Sequence, residues 1–277
     1  MDIAEHAWQM TNQALNVTPH RIRCGEIWGG NRGDQLEVAT SGIRASLFSR
    51  PCDGKSGGDI YYFSVCSLDQ LTRIAIVDIV GHGVAVSDMS SWLYGSLERR
   101  MNSVDGSVIL AELNHLSIDR GEKAMATAAI AAFYRADSRL HISYAGHNDL
   151  LLCRRGETKW EALRPDASDG MIGLPLGVLD ESQYGQESFE CSDGDKLFLF
   201  TDGVVEAMDN DGIQFGTDRL LDVLRQTRGL GVSEMRQSVL DAILAHTGGT
   251  LEHDDVTFMV IEIADADATE SANEESL

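Results

Sequence analysis

Four acidic sites in this chain share one grammar: an aspartate at the end of an apolar run, with a glycine or a second acid beside it. GKSGGDIYYF places Asp59 at the start of a hydrophobic stretch, and IAIVDIVGHG places Asp78 at the end of one. LFLFTDGVVEA places Asp202 at another end, and EHDDVTFMV places Asp254 and Asp255 at a start. Asp and Gly are ordinary turn residues, so one such pair alone says little. A sheet that gathered all four at one rim would set carboxylates against each other, and they would repel unless cations lay between them. Oxygen donors without a thiolate or histidine cluster suit Mg2+ or Mn2+ better than zinc. His82, between Gly81 and Gly83, is the conspicuous side chain beside Asp78.

The elements that must position these acids follow from the pattern of the chain. Apolar residues at helical spacing predict a short helix within 1–16, and a pair of strands is expected over 36–48. DIYYFSVCS and LTRIAIVDI read as two strands joined at Leu68–Gln70. Beyond the GHG turn, Met89, Trp92, Leu93, Leu97 and Met101 share a helical face. A second helix is expected over 107–118, with Ser107 as its N-cap. TAAIAAFYRA, RLHISYAG and DLLLCRRG are strands, 155–194 reads as a polar loop, and DKLFLFTDG is a strand. Helices opening near Thr217 and Ser233 precede a last strand, VTFMVIEI. Strands and helices thus come in separate blocks, which predicts an α+β fold rather than alternating βαβ units. The expected organisation is an N-terminal extension over 1–35, one domain over 36–263, and a disordered acidic tail over 264–277.

Composition narrows the function. With 22 Lys and Arg against 44 Asp and Glu, the net charge of −22 argues against sequence-independent binding to nucleic acid and disfavours an anionic membrane surface, so neither is expected as a partner. The five cysteines, Cys24, Cys52, Cys66, Cys153 and Cys191, have neither zinc spacing nor a disulfide framework. The N-terminus lacks the basic and apolar regions of a signal peptide, and no apolar run is long enough to span a membrane, so a cytoplasmic protein is expected.

Taken in order, GGD, DIVGHG, YAGHNDLLL, GLPLGV, LFTDGVVEA and DDVT resemble the motifs of bacterial PPM-type phosphatases, metal-dependent serine/threonine enzymes related to phosphatase 2C. The resemblance is closer to the SpoIIE-like branch and covers about residues 40–263. It implies a four-layer αββα sandwich of two mainly antiparallel sheets flanked by helices, and a centre of two divalent cations, Mn2+ or Mg2+. Asp78 would bridge both cations, and the main-chain carbonyl of Ile79 would bind one. Asp202 and Asp254 would complete the other shell, and Asp59 would act directly or through water. Asp255 stands where relatives carry Asn or Asp, which argues against its being a ligand. The implied reaction is hydrolysis of phosphoserine or phosphothreonine by a metal-bridging water, so Asp78 and Asp202 would be catalytic through that water.

Eukaryotic relatives carry DGH where this chain has DIVGH, so a proton-donor role does not transfer simply to His82, and a turn-stabilising role is preferred. A structural hydrogen-bonding role is preferred likewise for His147 of AGHN. Arg50 and Lys55, with Arg44, are candidates by position for holding phosphate. The implied substrate is a phosphorylated regulator of the anti-sigma-factor-antagonist type in a partner-switching circuit. Control by a partner, by homodimer formation or by metal occupancy is left open.

Two rivals fail on the sequence. MVIEIADADAT resembles a DxDxT phosphatase signature with Asp265 as nucleophile, but only a short acidic tail follows it. A cysteine-phosphatase loop would need Cys and Arg six apart, and Cys66 and Arg73 are not. The remaining alternative is a catalytically silent binding module on the same fold, which would be expected to have lost some of its carboxylates.

Overall fold

The structure is a computed structural model that describes residues 19–53, 55–66, 68–121, 124–164 and 173–264. The helix expected within 1–16, Asp265 and the rest of the acidic tail lie outside these residues.

Two antiparallel hairpins in the middle of the chain build one sheet. β5 (Ser56–Cys66) pairs with β6 (Leu71–Ile79), β6 with β7 (Ala126–Tyr134), and β7 with β8 (Arg139–Ala145). Edge strands β2 (Ile27–Arg32) and β11 (Glu187–Glu190) complete the order β11-β8-β7-β6-β5-β2. The second sheet runs β1-β3-β4-β13-β12-β9-β10. Its members are β1 (His20–Arg21), β3 (Asp34–Ala39), β4 (Ile43–Arg50), β9 (Leu150–Cys153), β10 (Trp160–Leu163), β12 (Lys196–Phe200) and β13 (Val256–Ile263). Every pairing in it is antiparallel except that of β1 with β3.

Three buried clusters define four layers. Alternate residues of the two sheets, among them Leu47, Phe63, Ile76, Ile142, Leu197 and Met259, form the core between them. On the outer face of the six-stranded sheet, Ile60, Val77 and Ala128 pack beneath α1 (Ser87–Glu98) and α2 (Gly106–Arg120). On the other outer face, Phe198, Phe258 and Val260 pack beneath α3 (Gly216–Thr227) and α4 (Val232–Thr247). This is the expected αββα sandwich.

Several boundaries differ from the expectation for physical reasons. Residues 20–35 are not an extension: β1 and β2 join the sheets, and Ile22 is buried in the inter-sheet core. The cap of α2 is Asp105, whose carboxylate accepts from the Ser107 amide at 2.9 Å and its hydroxyl at 2.7 Å. The polar stretch 155–194 contains β10 and β11, short strands whose exposed residues hide their alternation. No helix of the described residues is long and apolar enough to cross a membrane.

Candidate metal centre

Antiparallel pairing carries the four acids to one rim. Ile60 of β5 lies opposite Val77 of β6, so Asp59 and Asp78, one position further along, face each other across the ladder. In the seven-stranded sheet β12 ends at Phe200, opposite Phe258 of β13, so Asp202 just after β12 and Asp254 just before β13 share an edge. A hydrogen bond between the sheets joins the two pairs: Thr201 Oγ1 donates to Asp59 Oδ2 at 2.8 Å, while the Thr257 amide donates to Thr201 Oγ1 at 3.1 Å.

The electrostatics report the crowding. Burial pushes the Asp78 carboxyl up to about 10, with the charges of Asp59, Asp202 and Asp254 adding to it in that order. Asp59, 4% exposed, is held well above the carboxylate range by burial, with Thr201 and Thr257 pulling the other way and Asp255 and Asp254 raising it. Asp254 is raised by burial and by Asp202 and Asp255, and lowered by its hydrogen bond from the Asp255 amide and by His82 nearby. Repelling oxygen donors drawn from two sheets are what a divalent cation would neutralise, and the donor set fits Mg2+ or Mn2+. Among the described residues, no three acidic, histidine or cysteine side chains converge as a ready-made ligand set.

The structure places the other predicted residues as follows. The Ile79 carbonyl turns toward Gly58, where an added Cβ would stand 3.1 Å from it and 2.9 Å from the Gly81 carbonyl. Asp255, 3% exposed, is committed elsewhere. Its Oδ1 accepts from the Cys52 amide at 2.8 Å, and its Oδ2 from those of Gly58 at 2.6 Å and Gly83 at 3.2 Å. Its candidacy as a ligand is therefore replaced by a backbone-pinning role, which also explains the glycines. A side chain at Gly57 would collide with the Asp255 carboxylate, and one at Gly203 with its carbonyl.

His82 is exposed; its Nδ1 lies 3.3 Å from Cys52 Sγ, at the head of the 3-10 turn Gly83–Val86. That turn starts at φ +65°, a conformation suited to Gly83, and Asp53 accepts from the Val84 amide within it. Arg50 ends β4 opposite Val256, at the same rim as the acids; it and Lys55 are exposed. Neither side chain forms an ion pair or hydrogen bond among the described residues. Arg44 drops out as a phosphate holder: it starts the same strand opposite Glu262, with which it pairs at 3.6 Å, about 20 Å from the rim.

Thr201, Thr257 and the pinning role of Asp255 were missed by sequence reasoning. Their signal is the hydroxyl before Asp202 in FTDG and after Asp255 in DDVT, but a Thr in a strand is equally an ordinary β-former.

Comparisons with known proteins agree with this geometry. Residues 69–264 match the family model described as Stage II sporulation protein E (SpoIIE). Phosphoserine phosphatase RsbU of Bacillus subtilis (strain 168) is 26% identical over 206 residues, covering 74% of this chain and 58% of RsbU. The chain thus spans less than two thirds of that relative. Among solved structures, the SiaA-PP2C domain of Pseudomonas aeruginosa matches with a TM-score of 0.68 at 20% identity, over 79% of this chain and 85% of that one. The structure of the PP2C phosphatase domain of SpoIIE from Bacillus subtilis, with a fragment of its regulatory domain, matches with a TM-score of 0.65 at 19% identity, over 82% and 65%. Both structural matches show the PP2C-type sandwich. With the family model covering most of its length and four strand-end aspartates gathered at one rim of that sandwich, this chain belongs to the SpoIIE family.

Proposed function

We propose that this chain is a metal-dependent protein serine/threonine phosphatase. The observation that carries the reading is the meeting of Asp59, Asp78, Asp202 and Asp254 at one rim, where Asp78 responds to the charge of the other three. Two divalent cations, Mn2+ or Mg2+, held there would supply Lewis-acid charge neutralisation for phosphoryl transfer to water. Asp78, which feels Asp59 on its own sheet and Asp202 and Asp254 on the other, would be shared by the two cations, with the Ile79 carbonyl beside it. Asp202 and Asp254 hold the seven-stranded side. Asp59, oriented by Thr201, completes the six-stranded side. Arg50 and Lys55, exposed cations, are assigned to the incoming phosphate. His82 is assigned to the turn rather than to proton transfer, its Nδ1 being engaged by Cys52.

Similarity to a phosphoserine phosphatase supports phosphoserine as the group hydrolysed; the substrate proposed with it is a phosphorylated regulatory protein of the anti-sigma-factor-antagonist kind, acted on in the cytoplasm. The test is hydrolysis of a phosphoserine form of such a protein with Mn2+ and with a chelator. Asp78→Asn and Asp202→Asn should each lower turnover by at least about 100-fold, with the fold intact by circular dichroism. Retained activity in either variant would overturn the assignment. A folded wild-type protein without metal-dependent turnover would make the chain a binding module instead.

A further inference from the structure

One histidine lies beside the acids without a part in the proposed reaction. His147 follows β8, and its neighbour Gly146 forms a parallel bridge to Ala128 of β7. That bridge sets the imidazole beside Thr127, whose Oγ1 lies 2.7 Å from His147 Nδ1. Thr127 is in turn the residue paired with Asp78 across the β6–β7 ladder. The other ring nitrogen, Nε2, is enclosed without a hydrogen-bond partner, and the ring lies beside the main chain of Phe200, with which it lines one cavity. Phe200 ends β12, two residues before Asp202. A single ring therefore reaches from the partner of Asp78 in one sheet to the strand that delivers Asp202 in the other.

Two features separate this arrangement from ordinary core packing. The ring borders a cavity of about 470 Å³, which it lines together with Tyr144, Leu151, Phe200 and Val205, so surrounding atoms do not clamp it on every side. The Thr127 bond is then what fixes its orientation. Burial also lowers the His147 pKa to about 4, so the ring is neutral at physiological pH and adds no cation to compete with a metal.

We propose that His147 is a positioning residue for the metal centre: oriented by Thr127, it sets the separation between Asp78 and Asp202. This inference rests on the phosphatase reading. It predicts that a ring which touches no ligand nevertheless controls how well the ligands hold their cations, as outer-shell partners of metal sites do.

The experiment measures Mn2+ binding by titration calorimetry on folded, full-length protein, alongside kcat and KM for a phosphopeptide. Thr127→Val keeps the β-branched shape that suits a strand and removes only the hydroxyl. It should weaken Mn2+ binding about 10–100-fold and lower kcat at fixed Mn2+ while leaving KM for the peptide unchanged. Thr127→Ser, which restores the hydroxyl, should return the affinity to near the wild-type value. His147→Ala should weaken binding at least as much as Thr127→Val, and the double variant should be no worse than His147→Ala alone, since both act through one bond. Wild-type Mn2+ affinity in Thr127→Val would overturn the proposal, as would additive losses in the double variant. Should Thr127→Val not fold, Thr127→Ala is read the same way. Asp78→Asn is the control: if it binds Mn2+ as tightly as wild type, the metal reading itself has failed. If it loses binding while Thr127→Val does not, only the role of His147 has.

Discussion

Asp254 and Asp255 are adjacent and identical in type, yet the fold gives them different work. Asp254 turns toward the acidic rim, whereas Asp255 gathers the amides of Cys52, Gly58 and Gly83, which lie on the loop after β4, the start of β5 and the GHG turn. Removing its carboxylate strands three amide donors in a buried place, each worth about 1–3 kcal/mol. Asp255→Ala should therefore cost at least about 3 kcal/mol in chemical denaturation, and a loss under about 1 kcal/mol would refute the pinning role. The strand-end acids were legible because each stands at a change from apolar run to glycine turn. The division of labour within DD was not, because it depends on which carboxylate the local backbone turns inward.

At the scale of elements, α4 is fastened to its sheet by a buried polar knot as well as by apolar contact. Arg236, 2% exposed, donates from Nε to Ser46 Oγ at 2.8 Å and lies 3.6 Å from Glu37. Glu37 also accepts from Ser46 and from Ser233, both at 2.6 Å. Arg236→Ala would leave the Glu37 charge without its partner and should destabilise the protein by about 3–5 kcal/mol, read from denaturant midpoints. Arg236→Met with Glu37→Gln, which removes both charges, should recover much of that loss. The four described helices and the longer strands were legible from their periodicity, whereas the short β1, β2, β10 and β11 were not. The domain start at 36 was misplaced because β1 and β2 are short and mostly polar, and their pairing partners lie far along the chain.

For the whole molecule, the rim acids make stability depend on pH and metal together. In metal-free protein Asp78 holds its proton up to about 10, against 3.8 when exposed, so the folded state binds a proton that the unfolded state releases. Stability on this account is full below the lower value and is lost as pH rises toward the upper one. His147 has the opposite sign: its pKa falls from 6.5 to about 4 on folding, so its contribution is present above 6.5 and lost as pH falls toward 4. The Tm in chelator should therefore decline from mildly acid toward alkaline pH. Mn2+ should raise the Tm most at the alkaline end, where the carboxylates ionise readily for the cation. A metal-free Tm that climbed steadily from pH 6 to 9 would contradict the crowding of the four acids. The class of fold was legible from the blocks of strands and helices and from the ordered motifs. The strand order was not, since nothing local in VTFMVIEI says that it lies between β4 and β12.

That placement of β13 bears on how the protein is made. Ser49 and Thr257, which meet through their hydroxyls at 2.9 Å, are 208 residues apart in the chain. During synthesis β5 to β8 can pair as they emerge, but β4 and β12 wait on either side of a gap until β13 leaves the ribosome. Asp254 arrives at the same moment, immediately ahead of the strand that closes the gap. A nascent chain halted before that point lacks both its central strand and a member of the acidic rim, so assembly of the sheet and competence of the site are timed by one event, the emergence of β13.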